Sequence, residues 1–210
     1  MWCITKVFFI FMKYTDDINI FKLNKDFTAE IDITGTFGHI YHYPQRMNGC
    51  LFILCLRGEC DITIHLSEHK IQKNDIVTIL PETFVHVHRQ SPDCRLYLAG
   101  FNKELLNGIN FFNSTKNYLS ALIDTPVTPL RPETSELFQD YFMLLIKMKH
   151  IEAKPNKDLL SSMLLTILHG VGNIHQNTNV TTRAFNRGEE IVKRLVQYII
   201  KHYTQERSVA

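Results

Sequence analysis

The chain has 210 residues, of which 45% are apolar and 21% are charged. This length and composition suit one or two globular domains with a sizeable buried core, and they exclude a disordered tail. The 23 Lys and Arg residues nearly balance the 21 Asp and Glu residues, which leaves a formal net charge of +2. That balance excludes a protein that wraps nucleic acid along its whole length, because such a role needs a strongly basic surface.

No two cysteines have the C-x-x-C spacing of a zinc ribbon or a thioredoxin-like motif. We therefore expect reduced, structural thiols at Cys3, Cys50, Cys55, Cys60 and Cys94. No apolar run reaches the roughly 20 residues that a membrane-spanning helix needs. The N-terminus also lacks the small-x-small cleavage pattern of a secretory signal. The expectation is a cytoplasmic protein without a membrane span.

The first half of the chain has the pattern of β-strands. Between Phe27 and Phe101 apolar and polar residues alternate, most clearly over residues 27–33 and 60–66, as is typical of half-buried strands. Residues 51–56 are continuously apolar, which predicts a strand covered on both faces. The turn signals between these runs indicate roughly seven or eight strands, and such a number favours a sandwich or a small barrel.

Two helices are predicted after a proline-rich break. Residues 125–132 contain three prolines, so we expect the β part to end before them. Apolar residues then recur at three- and four-residue steps over 133–151 and again over 158–174, which predicts two amphipathic helices. Because only a short break at Pro155 separates them, we expect the two helices to be antiparallel. Such a pair either covers the sheet or packs against a second copy of itself.

The C-terminal part resembles a linker followed by one more helix. Gly170 and Gly172 are expected to mark the fraying end of the second helix. Residues 173–187 are rich in Asn and Thr, a composition typical of linkers. Helical spacing resumes over 187–203, but the sequence offers this third helix no partner on which to bury its apolar stripe.

Two stretches resemble a known family. Residues 49–101 are similar to the cupin-like sensor domain of AraC-type transcription regulators, and residues 187–210 resemble the opening helix of the family's DNA-binding domain. The residues that carry the first resemblance are Gly49-Cys50-Leu51, Leu56-Arg57-Gly58-Glu59, Lys73-Asn74-Asp75-Ile76-Val77-Thr78-Ile79-Leu80-Pro81, His86 and Leu98-Ala99-Gly100-Phe101. The second is carried by the run that begins Arg187-Gly188-Glu189-Glu190 and ends at Ala210.

The resemblance implies an α+β fold, with a mainly β cupin-like barrel or sandwich, an antiparallel helix pair and a further C-terminal helix. It implies a sensor domain at 13–120, a helical dimerisation region at 121–175, a linker at 176–187 and the first DNA-domain helix at 188–210. The implied partners are a second copy of the chain, a small-molecule effector, and DNA only through a C-terminal part that follows Ala210 in a longer parent. The residues that this resemblance assigns to the dimer seam are Leu137, Tyr141, Leu145, Leu160, Leu164 and Ile167.

Histidine pairs are the candidate metal ligands of the sequence. His86 and His88 are two apart on a predicted strand, so both side chains point to one face. Enzymatic cupins follow such a pair with a Glu and a third His, which this sequence lacks, so we expect no metal and no other cofactor. His39 and His42 are expected on opposite faces of a strand. The two histidines that flank the predicted turn at residues 67–68, His65 and His69, are expected in solvent.

The sequence supports two interpretations of the barrel interior equally: a ligand site, or a core filled by side chains. If the site exists, the residues that line it are expected to be Tyr41, Tyr43, Phe84, His86 and Tyr97, with Phe52 nearby. Arg46 and Arg57 are then candidate anchors for an acidic group of the ligand, the alternative being that both are solvated surface charges.

Catalysis has little support in the sequence. No nucleophile elbow, glycine-rich phosphate loop, H-E-x-x-H motif or pair of carboxylates at catalytic spacing occurs, so no catalytic residue is assigned. The favoured function is ligand sensing and dimerisation in a transcription regulator. Two alternatives stay open: a metal-dependent cupin enzyme that uses His86 and His88 with His42 or Glu59, and a stand-alone dimeric binding protein.

Overall fold

A computed structural model of the chain describes residues 26–109, 111, 115, 119–151, 156–177 and 191. The N-terminal extension lies outside these residues. So does the part of the predicted linker beyond Asn177, together with the predicted third helix except for Ile191. No helix among the described residues is long and apolar enough to cross a membrane.

Nine antiparallel strands form two sheets in the described part of the chain. The five-stranded sheet has the order β1-β8-β3-β6-β9, and the four-stranded sheet has the order β2-β7-β4-β5. The strand bounds are β1 Phe27–Asp32, β2 Gln45–Arg46, β3 Gly49–Arg57, β4 Glu59–Ile64, β5 Ser67–Gln72, β6 Asp75–Ile79, β7 Phe84–Gln90, β8 Arg95–Asn102 and β9 Val127–Pro129.

Within the described ranges five helices accompany the strands: α1 Thr36–Ile40, α2 Lys103–Gly108, α3 Leu119–Asp124, α4 Pro132–Ile151 and α5 Lys157–Asn177. The long helices α4 and α5 match the two amphipathic helices that the apolar spacing predicts. Together with the two sheets they confirm the α+β fold class, with a mainly β sandwich followed by a helix pair. The predicted first turn at Pro132 is also where α4 begins.

Two apolar layers hold the molecule together, and both use the five-stranded sheet. One layer lies between the two sheets and joins residues of β3 such as Ile53 to residues of β4 such as Ile62. The other lies between the opposite face of the five-stranded sheet and the helices, where Leu54 and Phe101 share a cluster with Phe142. Strand β3 is therefore buried on both faces, as its continuous apolar run predicts.

The helices α4 and α5 are antiparallel, as expected. The Tyr141 hydroxyl of α4 donates a hydrogen bond to the carbonyl of Met163 at 2.5 Å. Further along, a Cβ added to Gly170 would lie 3.2 Å from Phe138 Cζ. Gly170 therefore lets the two helices approach closely, and the helix continues to Asn177. The expectation that Gly170 and Gly172 mark a fraying end was wrong.

The proline-rich segment also differs from its prediction. Residues Val127–Pro129 form an edge strand, in which Val127 pairs with Val77 and Pro129 with Asp75. An edge strand tolerates proline because its outer amides need no partner in the sheet. The β part therefore extends into this segment, and the predicted sensor and helical regions share one apolar layer.

Candidate functional site

A cleft of about 290 Å³ opens between α1 and the hairpin that joins β7 to β8. One wall comes from the segment that follows β1, and the other comes from the end of β7 and the turn after it. The lining residues are Ile33, Thr34, Gly35, Gly38, His39, His42, Val87, His88, Arg89, Gln90, Ser91, Pro92 and Cys94. None of them is a carboxylate, and three are histidines.

The α1 wall is built on one buried carboxylate. Asp32 is 3% exposed, and its Oδ1 accepts hydrogen bonds from the amides of Thr34, Gly35 and Thr36 at 3.0 to 3.2 Å. Its Oδ2 accepts a further hydrogen bond from the amide of Phe37 at 3.0 Å. These amides are the ones that a helix start leaves without partners, so Asp32 fixes where the five-residue helix begins.

Gln90, at the end of β7, connects α1 to the opposite wall of the cleft through hydrogen bonds. Its side-chain amide donates to Asp32 Oδ2 at 3.1 Å, and its carbonyl oxygen accepts from the amide of Gly38 at 2.9 Å. A Cβ added to Gly38 would lie 2.7 Å from Gln90 Oε1. The glycine therefore permits this contact, and the width of the cleft depends on Gln90.

Side chains at the rim are held by neighbouring strands. His88 Nε2 lies 2.6 Å from the hydroxyl of Thr63. Arg89 donates to Asp61 at 2.9 Å and to Glu59 at 2.7 Å. These hydrogen bonds, the one to Asp61 first, raise the pKa of Arg89, so the arginine stays charged. The cleft therefore offers imidazole groups, fixed polar backbone and a few apolar surfaces to a small polar molecule.

The structure does not bring the predicted ligand residues together. Tyr41 is 3% exposed and packs in the layer between the sheets. Tyr97 belongs to the other layer, where its ring stacks on that of Phe142 at 6.0 Å. Tyr43 and Phe84 are exposed at 75% and 53%. The layer between the sheets is filled by side chains, which favours the filled-core alternative, and the cleft lies elsewhere.

The histidine pair considered as metal ligands lies on one face of strand β7, as its spacing predicts. The rings of His86 and His88 lie 4.1 Å apart, but they are on the solvent side of the four-stranded sheet. Glu59, considered as a third ligand, pairs with Lys70 and Arg89, and these hydrogen bonds, that from Lys70 first, lower its pKa. Among the described residues no group of three His, Cys, Asp or Glu side chains is placed to hold a metal.

Three other histidine expectations need correction. His39 lies within α1 and His42 just after it, so they are not on a strand, and both line the cleft. His65 occupies the turn itself, with a φ of 57°, and it is half-buried rather than solvated. Burial lowers its pKa. Its ring lies 3.4 Å from the hydroxyl of Thr83. His69 on β5 is also half-buried.

The two candidate anchor arginines are surface ion pairs. Arg46 pairs with Glu82, and Arg57 pairs with Asp93 at 3.2 Å. Both side chains are mostly exposed. Their alternative interpretation as surface charges therefore fits the structure, and neither lines the cleft.

The residues assigned to a dimer seam fall into two groups. Four of them are at most 1% exposed and pack in the layer between the helices and the sheet: Leu145, Leu160, Leu164 and Ile167. The chain's own core covers these four, which differs from the expectation that they face a second copy. Tyr141 is half-buried against α5. Leu137 is 68% exposed and is therefore available to a partner.

Comparisons with known proteins find distant likenesses of fold. No protein-family model matches the sequence, and no curated protein gives a significant match. One solved structure that it resembles is ToxT from Vibrio cholerae bound to (E)-4-(8-methylnaphthalen-1-yl)but-3-enoic acid, at 9% identity and a TM-score of 0.39, over 89% of this chain and 78% of that chain. Another is the AraC-like transcriptional activator CuxR, at 10% identity and a TM-score of 0.44.

The CuxR likeness covers 87% of this chain and 59% of that chain. A third neighbour is the cupin domain of Cnp3 from Schizosaccharomyces pombe, at 14% identity and a TM-score of 0.30, over 43% of this chain and 66% of that chain. One neighbour thus comes from the class of regulators that the sequence resembles, and one is a cupin.

Proposed function

We propose that this chain is the ligand-sensing and dimerisation part of an AraC-type transcription regulator. The support from sequence is the resemblance of residues 49–101, which span β3 to β8, and of residues 187–210. The ligand site in this proposal is the cleft between α1 and the β7–β8 hairpin. It replaces the barrel-interior site that the aromatic residues suggest.

The observation that carries the proposal is the path of strand β8. This strand starts beside Cys94, which lines the cleft. Two residues into it, the ring of Tyr97 stacks on Phe142 of α4 with an interplanar angle of 14°. A ligand that moves the start of β8 therefore acts on a strand already packed against the long helices. Because packed layers resist continuous deformation, such a shift would be passed to the helix pair.

The ligand proposed for the cleft is a small molecule with at least one polar group. A volume of about 290 Å³ is near the lower limit of ligand pockets. His42 and His88 supply hydrogen-bonding groups at the rim, and Ile33 and Val87 supply apolar surface. In the resembling family, a shift of the helix pair would change the spacing of two DNA-binding domains across adjacent half-sites.

The proposed dimer uses the outer side of α4. Leu137, Leu144 and Ile151 are 68%, 53% and 80% exposed, and they are seven residues apart. This heptad spacing places them along one side of the helix, as in the seam of two paired helices. The occupant proposed for this stripe is a second copy of α4, because two such stripes would cover each other.

A small-metabolite screen by thermal shift tests the sensing role on the full chain. A ligand that binds only the folded state raises the melting temperature by mass action. We expect a stabilising compound whose effect is lost in His88→Ala and kept in His86→Ala, a matched control on the same strand but outside the cleft. A compound that still stabilises His88→Ala and His42→Ala as well as the wild type would contradict the cleft as the site.

A reporter assay tests the regulatory role. The full chain is fused to a DNA-binding domain that occupies its operator only as a dimer. We expect the fusion to repress the reporter, and we expect the degree of repression to change when the stabilising compound from the thermal-shift screen is added. Reading the gene beyond codon 210 separates this proposal from a stand-alone binding protein, since a regulator requires helix-turn-helix units there.

A further inference from the structure

Two buried thiols, Cys55 and Cys94, belong to the same apolar layer beside the cleft. Cys55 near the end of β3 pairs in register with Leu96 of β8. Cys94 directly precedes β8, and its side chain lies in the same apolar layer as that of Cys55. The Cys55 Sγ lies 3.5 Å from the carbonyl oxygen of Arg57 and 3.7 Å from that of Gly58. Gly58 in turn adjoins Cys94, because a Cβ added to it would lie 2.6 Å from the Cα of Cys94.

We propose that Cys94 is an oxidation site for a small hydroperoxide that enters the cleft, and that Cys55 is the partner with which it then forms a disulfide. Cys94 is the one cysteine among the residues lining the cleft. Cys94 is 1% exposed, and the cleft whose wall it forms has a volume of about 290 Å³, which hydrogen peroxide is small enough to enter. This inference uses the cleft geometry and does not depend on the regulatory role.

The surroundings of the thiols give them different reactivities. The neighbouring Cys55 thiol first, and the Gln90 amide after it, lower the pKa of Cys94. The pKa of Cys55 is raised, first by the neighbouring Cys94 and then by burial. Burial raises the pKa of the third thiol of this layer, Cys60, to about 12. Since the thiolate is the nucleophile, Cys94 is the thiol that reacts first.

The reaction proceeds in two balanced steps. The Cys94 thiolate attacks one peroxide oxygen, an S–O bond forms, the O–O bond breaks, and the departing hydroxide takes up a proton to become water. The Cys55 sulfur then attacks the sulfenic acid at Cys94, an S–S bond forms, and the hydroxyl leaves with the Cys55 proton as a second water. The peroxide is reduced, and the two thiols are oxidised.

Oxidation would also reach the cleft wall. Gln90 lowers the pKa of Cys94 and also holds α1 through Asp32 and Gly38. A disulfide at Cys94 changes the sulfur beside Gln90, so the same event alters the residue that sets the width of the cleft.

Peptide mapping of the full chain tests the proposal. Reduced protein is treated with a small excess of hydrogen peroxide, alkylated and digested with trypsin without reduction. The peptides of residues 47–57 and 90–95 should be joined, with the mass of their thiol forms less two hydrogens plus one alkyl group on Cys50. The first peptide also carries Cys50, so the experiment is repeated in Cys50→Ser to assign the bond to Cys55.

Matched variants separate the partners. The link should disappear in Cys94→Ser and Cys55→Ser and persist in Cys60→Ser. In Cys55→Ser the sulfenic acid at Cys94 should persist and be trapped by dimedone. A link to Cys60 in place of Cys55 would overturn the pairing. Peroxide treatment that leaves Cys94 reduced in the folded wild type, yet oxidises it in urea, would overturn the site without any appeal to a variant.

Discussion

A Cβ placed on Gly58 would lie 2.6 Å from the Cα of Cys94 and 2.6 Å from the hydroxyl oxygen of Ser91. The turn between β3 and β4 therefore rests directly on the backbone that precedes β8. Gly58 also has a φ of +74°, which side chains other than glycine rarely adopt. Two independent constraints thus require glycine at this position.

Gly58→Ala should destabilise the fold strongly. The positive φ alone costs about 1 kcal/mol for a residue with a Cβ, and the contact with backbone atoms adds about 1 to 3 kcal/mol. Gly35→Ala is the matched control, because Gly35 has a similar φ of +80° but no atom within 4 Å of an added Cβ. Urea denaturation gives the free energy of unfolding of both variants. Equal losses in Gly58→Ala and Gly35→Ala would show that the contact of the added Cβ with Cys94 relaxes at no cost in stability.

Asp32→Asn should loosen α1. The amide keeps the shape of the carboxylate but replaces one acceptor oxygen with a donor, so buried backbone amides of α1 lose their partner. We expect a loss of about 1 to 3 kcal/mol in the free energy of unfolding. Asp140→Asn, an exposed change on α4, should be nearly neutral. Faster hydrogen exchange over residues 34–40 in the first variant would locate the effect, and unchanged exchange there would contradict it.

Stability should fall in mild acid, in part through His175. This imidazole is 8% exposed, and its Nε2 lies 2.9 Å from the hydroxyl of Thr128. Burial lowers its pKa from 6.5, so the folded state binds a proton less readily than the unfolded state. The contribution of neutral His175 to the free energy of unfolding is fully present above the pKa of the imidazole in the unfolded state. It is lost as the pH falls through that pKa and below it.

Urea midpoints at about pH 7.5 and about pH 5 measure this linkage. His175→Asn should lose less stability between the two pH values than the wild type. It should still lose some, because burial lowers the pKa of His65 in the same direction. His169→Asn, on the exposed side of α5, serves as the control. A variant His175→Asn with the same pH dependence as the wild type would exclude His175 as a contributor.

Leu137→Glu combined with Leu144→Glu should convert a dimer into a monomer. Both side chains are exposed in the single chain, so the fold should survive, whereas two unpaired charges inside a dimer seam would be costly. Light scattering gives the mass, and circular dichroism confirms the fold. His150→Glu, exposed on another side of α4, should remain dimeric. A double variant of unchanged dimer mass would place the seam elsewhere.

Most of the framework could be predicted from the sequence, because it is determined locally. Apolar alternation located β1 and β4, the continuous run at 51–56 located the doubly covered strand, and helical spacing located α4 and α5. Alternation could not predict which of the two faces of the five-stranded sheet each side chain occupies. Leu96 and Leu98 point toward the other sheet, and Tyr97 points toward the helices; when both faces are buried, either parity satisfies the pattern.

The cleft could not be predicted because it depends on contacts between distant parts of the chain. The helix α1 has five residues, too few for an amphipathic pattern, and its start is fixed by the backbone amides that donate to the Asp32 carboxylate. Gln90 is 58 residues away from that aspartate. The one local sign is the pair Gly35 and Gly38, which provides a positive φ and room for Gln90.

Because β3 is buried on both faces, the sandwich and the helix pair are coupled during unfolding. If α4 and α5 detached, apolar side chains such as Phe52 and Leu54 would meet water, at a cost of about 25 cal/mol for each Å² uncovered. The helix pair and the sandwich should therefore melt in one cooperative transition, with matching midpoints for helix loss and sheet loss. A fragment that ends near residue 120 would lack α4 and α5 and should aggregate through this uncovered face. The change from strand pattern to helical pattern in the sequence is therefore not a boundary at which the chain can be divided.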